Sequence, residues 1–229
     1  MRGCGGVWLC VLIILGMPSL GQASPMEQVL ELVNKVDARY EQTRDLQADF
    51  SQETKIEGFE TRLFSTGRVL LKKPGMLRWD YVEPSVEQIF VDGDQVMVYT
   101  PEHKQVVKAK LTQIAASQAP LILLQGAGKL TEQFDVLPTD QEESRQDVLP
   151  LITLVPKPEE KNRSAVTRVV LEIDPSSYLI KKMDLHEISG NISTLRFSNI
   201  QVNQGIDTAQ LKLIVPEDVI VVDAPVLQQ

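Results

Sequence analysis

Two histidines, two cysteines and a few close acidic pairs are the residues of this 229-residue chain that could hold a metal or carry catalysis. A zinc site needs three or four Cys, His or carboxylate ligands at close spacing. His103 lies in a Pro-Glu-His-Lys turn and His186 near the end of an alternating apolar run; neither stands in an HxH or HExxH spacing. Cys4 and Cys10 both fall in the first 23 residues. Asp92-Gly93-Asp94 resembles the opening of a calcium loop, but the later ligands are missing, and the triplet is what a tight hairpin turn uses. Glu142-Glu143 and Glu159-Glu160 sit in charged stretches that keep loops solvated. A GxSxG elbow, a GxxxxGK[ST] loop and a GxGxxG turn are all absent. The expectation is no enzyme, no metal and no cofactor. What remains is apolar chemistry, concentrated in "KKPGMLRWDY" (72–81), where a cationic Pro-Gly turn precedes a Trp and a Tyr two residues apart in a chain with 5% aromatics.

The chain opens "MRGCGGVWLCVLIILGMPSLGQASP". Arg2, the apolar run Val7 to Leu15 and the small residues up to Ala23 form a secretory signal peptide over residues 1–23. The run is too short to span a bilayer, which takes about 20 residues. Trp8 and Leu9 precede Cys10, so this is not a lipid-attachment cysteine. Cleavage after Ala23 removes both cysteines, and residues 24–229 must then fold as a single domain without disulfides. The formal net charge of −8 becomes one unit more negative when Arg2 is lost. That argues against nucleic acid as a partner and against a broad basic face for anionic membrane. A soluble, exported, periplasmic monomer is expected.

Ser24-Pro25-Met26-Glu27 carries an N-cap, a Pro at N1 and the Glu of a capping box. Met26, Val29, Leu30, Val33, Val36 and Tyr40 follow at helical spacing, which predicts an amphipathic helix ending near Thr43. From Leu46 the period becomes two. "LQADFSQETKI", "RLFSTGRVLLKK", "GMLRWDYV", "EQIFV", "QVMVYT" and "KQVVKAK" alternate between turns, the pattern of an antiparallel meander. The helical stretch "LTQIAASQAPLILLQGAGKL" interrupts it. Strands are then predicted in "EQFDVL", "PLITLVP", "AVTRVVLEID", "YLIKKMDLHEI", "ISTLRFSNIQV" and "AQLKLIVP". Alternation puts Leu77, Trp79 and Tyr81 on one face and Met76, Arg78 and Asp80 on the other. On residue type alone, Trp79 and Tyr81 are core residues and Lys73 points to solvent.

Taken in order, "ADFSQ" (48–52), "GRVLLKKPGMLRWDYVEPSVEQIFVDGDQVMVYTPEHKQV" (67–106) and "APLILL" (119–124) resemble the LolA family of periplasmic lipoprotein carriers, over nearly all of residues 24–229. The resemblance implies a mainly β fold: an incomplete, curved antiparallel β-barrel of about 11 strands with an α-helical lid over an apolar cavity. It implies a chaperone that binds lipoprotein acyl chains released from the inner membrane. The cargo would pass from an ATP-binding-cassette releasing complex there to an outer-membrane lipoprotein receptor. The cavity residues so implied are Phe50, Val69, Leu71, Leu77, Trp79, Tyr81, Ile89 and Val91; the lid residues are Leu121, Ile122 and Leu124. Lys73 stands where the family has a lid-latching arginine. Lysine keeps the charge but loses the planar fork, so a looser lid is expected. Leu77 replaces a family aromatic. The alternative is a periplasmic lipid-binding or envelope-stress-sensing module on the same fold.

Overall fold

The computed structural model describes residues 24–111, 129–138, 149–158 and 164–224. The expected signal peptide, residues 1–23, and the expected lid residues Leu121, Ile122 and Leu124 lie outside these. Helix α1 (Pro25–Gln42) starts as the sequence predicts: Glu27 N donates to Ser24 Oγ and Ser24 N donates to a Glu27 carboxylate oxygen, both at 3.2 Å. Its C-terminal carbonyls are satisfied locally, Arg39 O by the Thr43 hydroxyl at 2.8 Å and Tyr40 O by Thr43 N at 3.1 Å. Val33, Val36 and Tyr40 form its buried face.

The strands are β1 (Asp45–Lys55), β2 (Arg62–Lys72), β3 (Met76–Glu83), β4 (Glu87–Asp92), β5 (Gln95–Thr100), β6 (Gln105–Lys110), β7 (Phe134–Leu137), β8 (Leu151–Pro156), β9 (Val166–Ile173), β10 (Ile180–Glu187), β11 (Ile192–Val202) and β12 (Ile220–Asp223). A one-turn helix, α2 (Leu130–Gln133), precedes β7. All twelve strands lie in one sheet, in the order β12-β6-β5-β4-β3-β2-β1-β11-β10-β9-β8-β7. Central β1 pairs with β2 on one side and β11 on the other, joining the two halves of the chain. Gly93, in the two-residue loop between Asp92 and Gln95, takes φ +59, which favours glycine.

Two features differ from expectation. "AQLKLIVP" is not a strand: Thr208–Leu211 form a 3-10 turn that buries Leu211, while Ile214 is 88% exposed. The twelfth strand comes later and pairs with β6 in parallel, the one exception in an otherwise antiparallel sheet. The apolar run at 211–215 looked like a strand, but only one of its residues has a core to enter.

The concave face and α1 enclose one apolar cluster. On the opposite face Leu70 and Met76 pack under Ile206 and Leu211 of the C-terminal segment. Side-chain hydrogen bonds hold that strap. Lys72 Nζ donates to Ile206 O at 2.7 Å and Thr208 Oγ1 at 2.9 Å; Arg78 Nη1 donates to Gln210 O at 3.0 Å; Asp45 accepts from Gln204 N and Gly205 N.

Gly67 is fixed by packing. A Cβ there would sit 1.9 Å from Asp80 O and 2.6 Å from the Phe50 ring, which lies over β2 at this point. The Gly67→Ala change must displace a backbone carbonyl or a core ring. Expected is a loss of stability of ~1–3 kcal/mol or more, read as a lower urea midpoint at unchanged m-value.

Candidate functional site

Seven of the eight residues implied for the cavity are buried: Phe50, Val69, Leu71, Leu77, Trp79, Ile89 and Val91 are each less than 5% exposed. Tyr81 is half-buried against the same cluster. Register explains the grouping. Leu71, Leu77 and Val91 form one row across β2, β3 and β4, Val69, Trp79 and Ile89 the next, and Gly67, Tyr81 and Glu87 the third. Phe50 enters from β1 opposite Gly67. Its ring centroid lies 4.5 Å from Trp79 and 5.2 Å from Tyr81, the latter edge-on. Edge-on and tilted rings satisfy the aromatic quadrupole while excluding water.

The other half of this wall was missed at the sequence level. Phe197, paired with Phe50 across β1–β11, meets Trp79 edge-on at 6.3 Å, and Leu195, Met183 and Leu171 continue the surface. The signal was present in the alternation of "ISTLRFSNIQV". What the sequence could not say is that β11 joins β1.

Polarity changes along the face. Beyond Phe50 on β1 come Gln52 and Thr54. Tyr81 Oη donates to Gln52 Oε1 at 2.9 Å, Gln52 Nε2 donates to Thr54 Oγ1 at 3.3 Å, and Thr54 Oγ1 lies 3.0 Å from Ser193 Oγ. Burial pushes the Tyr81 hydroxyl up to about 12, an effect the adjacent Trp79 indole partly opposes. Burial also holds Glu87, opposite Tyr81, above the usual carboxylate range.

Lys73 is not a free surface lysine. Its Nζ donates to Tyr40 O at 2.6 Å, placing an ammonium on the C-terminal end of α1, where the helix dipole favours a cation. Burial depresses its pKa, against the pull of the Glu41 carboxylate. The side-chain bond of Lys73 therefore runs to α1. Two further bonds pin the helix. Tyr40 Oη accepts from Ile180 N of β10 at 3.3 Å, and Asp37 Oδ1 accepts from Leu130 N of α2 at 3.1 Å. Helix α1 thus ties the β2–β3 turn, β10 and the residues that follow segment 112–128.

Among the described residues no group of three His, Cys, Asp or Glu is placed to hold a metal ion, and no helix is long and apolar enough to cross a membrane. His186 Nε2 lies 3.2 Å from Arg168 Nη2.

Two changes test the helix clamp. Lys73→Met keeps the apolar stem and removes the ammonium; amide exchange in the last turn of α1 should rise about fivefold, the effect of ~1 kcal/mol. Lys73→Arg should slow the same amides below the wild-type rate, and no added protection would refute the looser-latch reading. Asp37 carries the second prediction. Burial, more than any other cause, raises its folded-state pKa. The folded state then binds that proton more tightly than the unfolded chain, so stability from this residue falls as pH rises from the ordinary aspartate range through the raised value. Asp37→Asn, which keeps an acceptor for Leu130 N, should raise the urea midpoint at pH 7, with the gain vanishing below pH 4.

Residues 41–213 match the sequence profile described as "Outer membrane lipoprotein carrier protein LolA". The outer-membrane lipoprotein carrier protein of Methylobacillus flagellatus is 30% identical over 185 residues, 80% of this chain and 85% of the relative. That of Methylococcus capsulatus is 30% identical over 196 residues, 86% of this chain and 88% of the relative. Among solved structures, an uncharacterized conserved protein from Thermus thermophilus superposes with a TM-score of 0.54 at 15% identity, covering 86% of this chain and 99% of that one, a likeness of fold.

Proposed function

The chain belongs to the LolA family of outer-membrane lipoprotein carrier proteins, and from that premise we propose that it is a periplasmic chaperone for acylated lipoproteins. In this reading residues 1–23 direct export and are removed, and residues 24–229 form the carrier domain. The protein accepts acyl chains from an inner-membrane ATP-binding-cassette releasing complex. It delivers them to an outer-membrane lipoprotein receptor and works as a monomer. As a member of a carrier family it is not an enzyme.

The observation that carries the reading is the concave face itself. A continuous wall from Val91 through Leu77, Trp79 and Phe50 to Phe197 and Leu195 belongs to one apolar cluster that the amphipathic helix α1 joins through Val33, Val36 and Tyr40. Among the described residues that helix is held in its C-terminal half by hydrogen bonds, from Lys73 Nζ to Tyr40 O, from Ile180 N to Tyr40 Oη and from Leu130 N to Asp37 Oδ1, rather than by a covalent or metal link. A cover of this kind can be exchanged. Acyl chains that displace it gain about 0.8 kcal/mol per buried methylene, offset by the contacts α1 and the lid give up. The lid role of Leu121, Ile122 and Leu124 belongs to the same proposal. Exposed Phe59, Leu63 and Phe64 on the β1–β2 hairpin add apolar surface for meeting an acylated partner or its membrane.

The test uses spheroplasts or inner-membrane vesicles loaded with lipoprotein, an active releasing complex and ATP. After sedimentation the supernatant should contain a one-to-one complex of this protein with acylated lipoprotein. Leu77→Glu and Trp79→Glu should each cut the yield at least about tenfold, because either carboxylate must be desolvated on the binding wall. Absence of a wild-type complex, with the releasing machinery active on its own carrier, would overturn the proposal.

A further inference from the structure

We propose that Trp79, Tyr81 and Gln52 form a polar recognition point within the apolar wall, built to hold the neutral carbonyl oxygen of an ester- or amide-linked acyl chain. The inference rests on the carrier reading above and deepens it: the site selects acyl chains by their carbonyl end and sets the direction in which they lie.

The observation that demands an explanation is Trp79. Its side chain is 2% exposed, and among the described residues its indole N–H has no hydrogen-bond partner. Buried polar groups are nearly always paired, and an unpaired one costs free energy that a phenylalanine at the same place would not. The indole lies beside the Tyr81 hydroxyl, close enough to influence its ionisation, without the geometry of a hydrogen bond. That hydroxyl spends its proton on Gln52 Oε1, and Gln52 commits one amide proton to Thr54. The indole N–H and the second amide proton of Gln52 are left as donors, next to a phenol oxygen with lone pairs to spare. Donors at the border of an apolar wall call for an acceptor that itself ends an apolar chain. An acyl carbonyl is that acceptor.

Charge narrows the class. An anionic phosphate would need a cation, and no lysine or arginine stands in the row that holds Gly67, Tyr81 and Glu87. Glu87 would repel an anion. A neutral carbonyl meets neither objection. The rows also set orientation. With the carbonyl at Tyr81, the first methylenes lie against Phe50 and Trp79, and the tail runs toward Val69, Ile89, Leu71, Leu77 and Val91. The cargo's polar head is then left at the Gln52–Thr54–Ser193 end of the face.

The experiment uses 15N-labelled protein purified after export. Its Trp79 indole cross-peak is assigned by its absence from Trp79→Phe. Two probes are titrated: an S-(dipalmitoylglyceryl)cysteine peptide with a free amine, and its dihexadecyl ether analogue, which has no chain carbonyl. The ester peptide should bind roughly tenfold more tightly than the ether, the difference one buried hydrogen bond makes. It should also move the Trp79 indole proton downfield, while the ether peptide does not. Tyr81→Phe, which removes the hydroxyl that orients Gln52, should lower the ester-over-ether ratio, a ratio that loss of fold, weakening both probes alike, would leave unchanged. Equal affinity for the two probes, or the same indole shift with both, overturns the inference and leaves the carrier reading standing. Binding of neither probe overturns the carrier reading and this inference with it.

Discussion

An apolar concave face cannot be left to water, and this sheet has one that runs from Val96 through Leu77 and Trp79 to Phe197 and Leu171. Every other feature answers to that constraint. The face is continuous because β1 pairs with β11, which turns two meanders into a single trough. At Gly67 an aromatic ring, that of Phe50, rests on bare backbone. Helix α1 joins the face through three buried side chains, Val33, Val36 and Tyr40, that all come from one helical stripe. The helix is held by polar contacts at three points, so its position is specified without being permanent. Where hydrophobic contact supplies most of the binding, hydrogen bonds supply the address.

The convex face is handled in another way. Leu70 and Met76 need a cover too, and the segment after β11 provides it with Ile206 and Leu211. Here the polar contacts are many and close. Lys72, Arg78 and Asp45 each hold strap backbone, and Arg78 is braced by Asp80 at 2.8 Å and stacked over Phe90 at 5.2 Å. Two cations on carbonyls and a carboxylate on amides make a half-buried network, stronger than exposed ion pairs. Among the described residues the outer cover is thus held by more side-chain hydrogen bonds than α1 is. The contrast follows from which residues alternate outward on β2 and β3: Lys72, Arg78 and Asp80 among the apolar side chains outside, and none but apolar ones inside until Tyr81.

Much of this was legible in the sequence. Ser24 and Glu27 announced the start of α1, and alternation placed Leu77 and Trp79 on the inner face with Met76 and Arg78 opposite. Strand boundaries through β6 followed from turn residues. Three things were not legible, each for the same physical reason. The parallel β12, the burial of Leu211 in a 3-10 turn, and the meeting of Phe197 with Trp79 depend on contacts between segments distant in the chain. Lys73 illustrates the limit within one residue. Its type and place after β2 suggested solvent, and only the arrival of Tyr40 O, 33 residues earlier, makes it a helix cap.

A carrier of apolar cargo faces an arithmetic problem that this wall addresses. On the proposed carrier reading, chains that enter replace helix contacts of similar kind, so the apolar terms nearly cancel and cannot by themselves choose one lipid over another. Selectivity must then come from a term that does not cancel. Polar groups left unpaired when the trough is empty supply one, because their cost is relieved only by a ligand with the right atom in the right row. A single indole N–H does this without tightening the grip on the chain as a whole. The tail can therefore be surrendered to a competing apolar surface once one hydrogen bond breaks. An arginine or lysine in the row of Tyr81 would have bound a head group more firmly. It would also have cost more to bury beside the apolar wall, and it would have released its cargo more slowly.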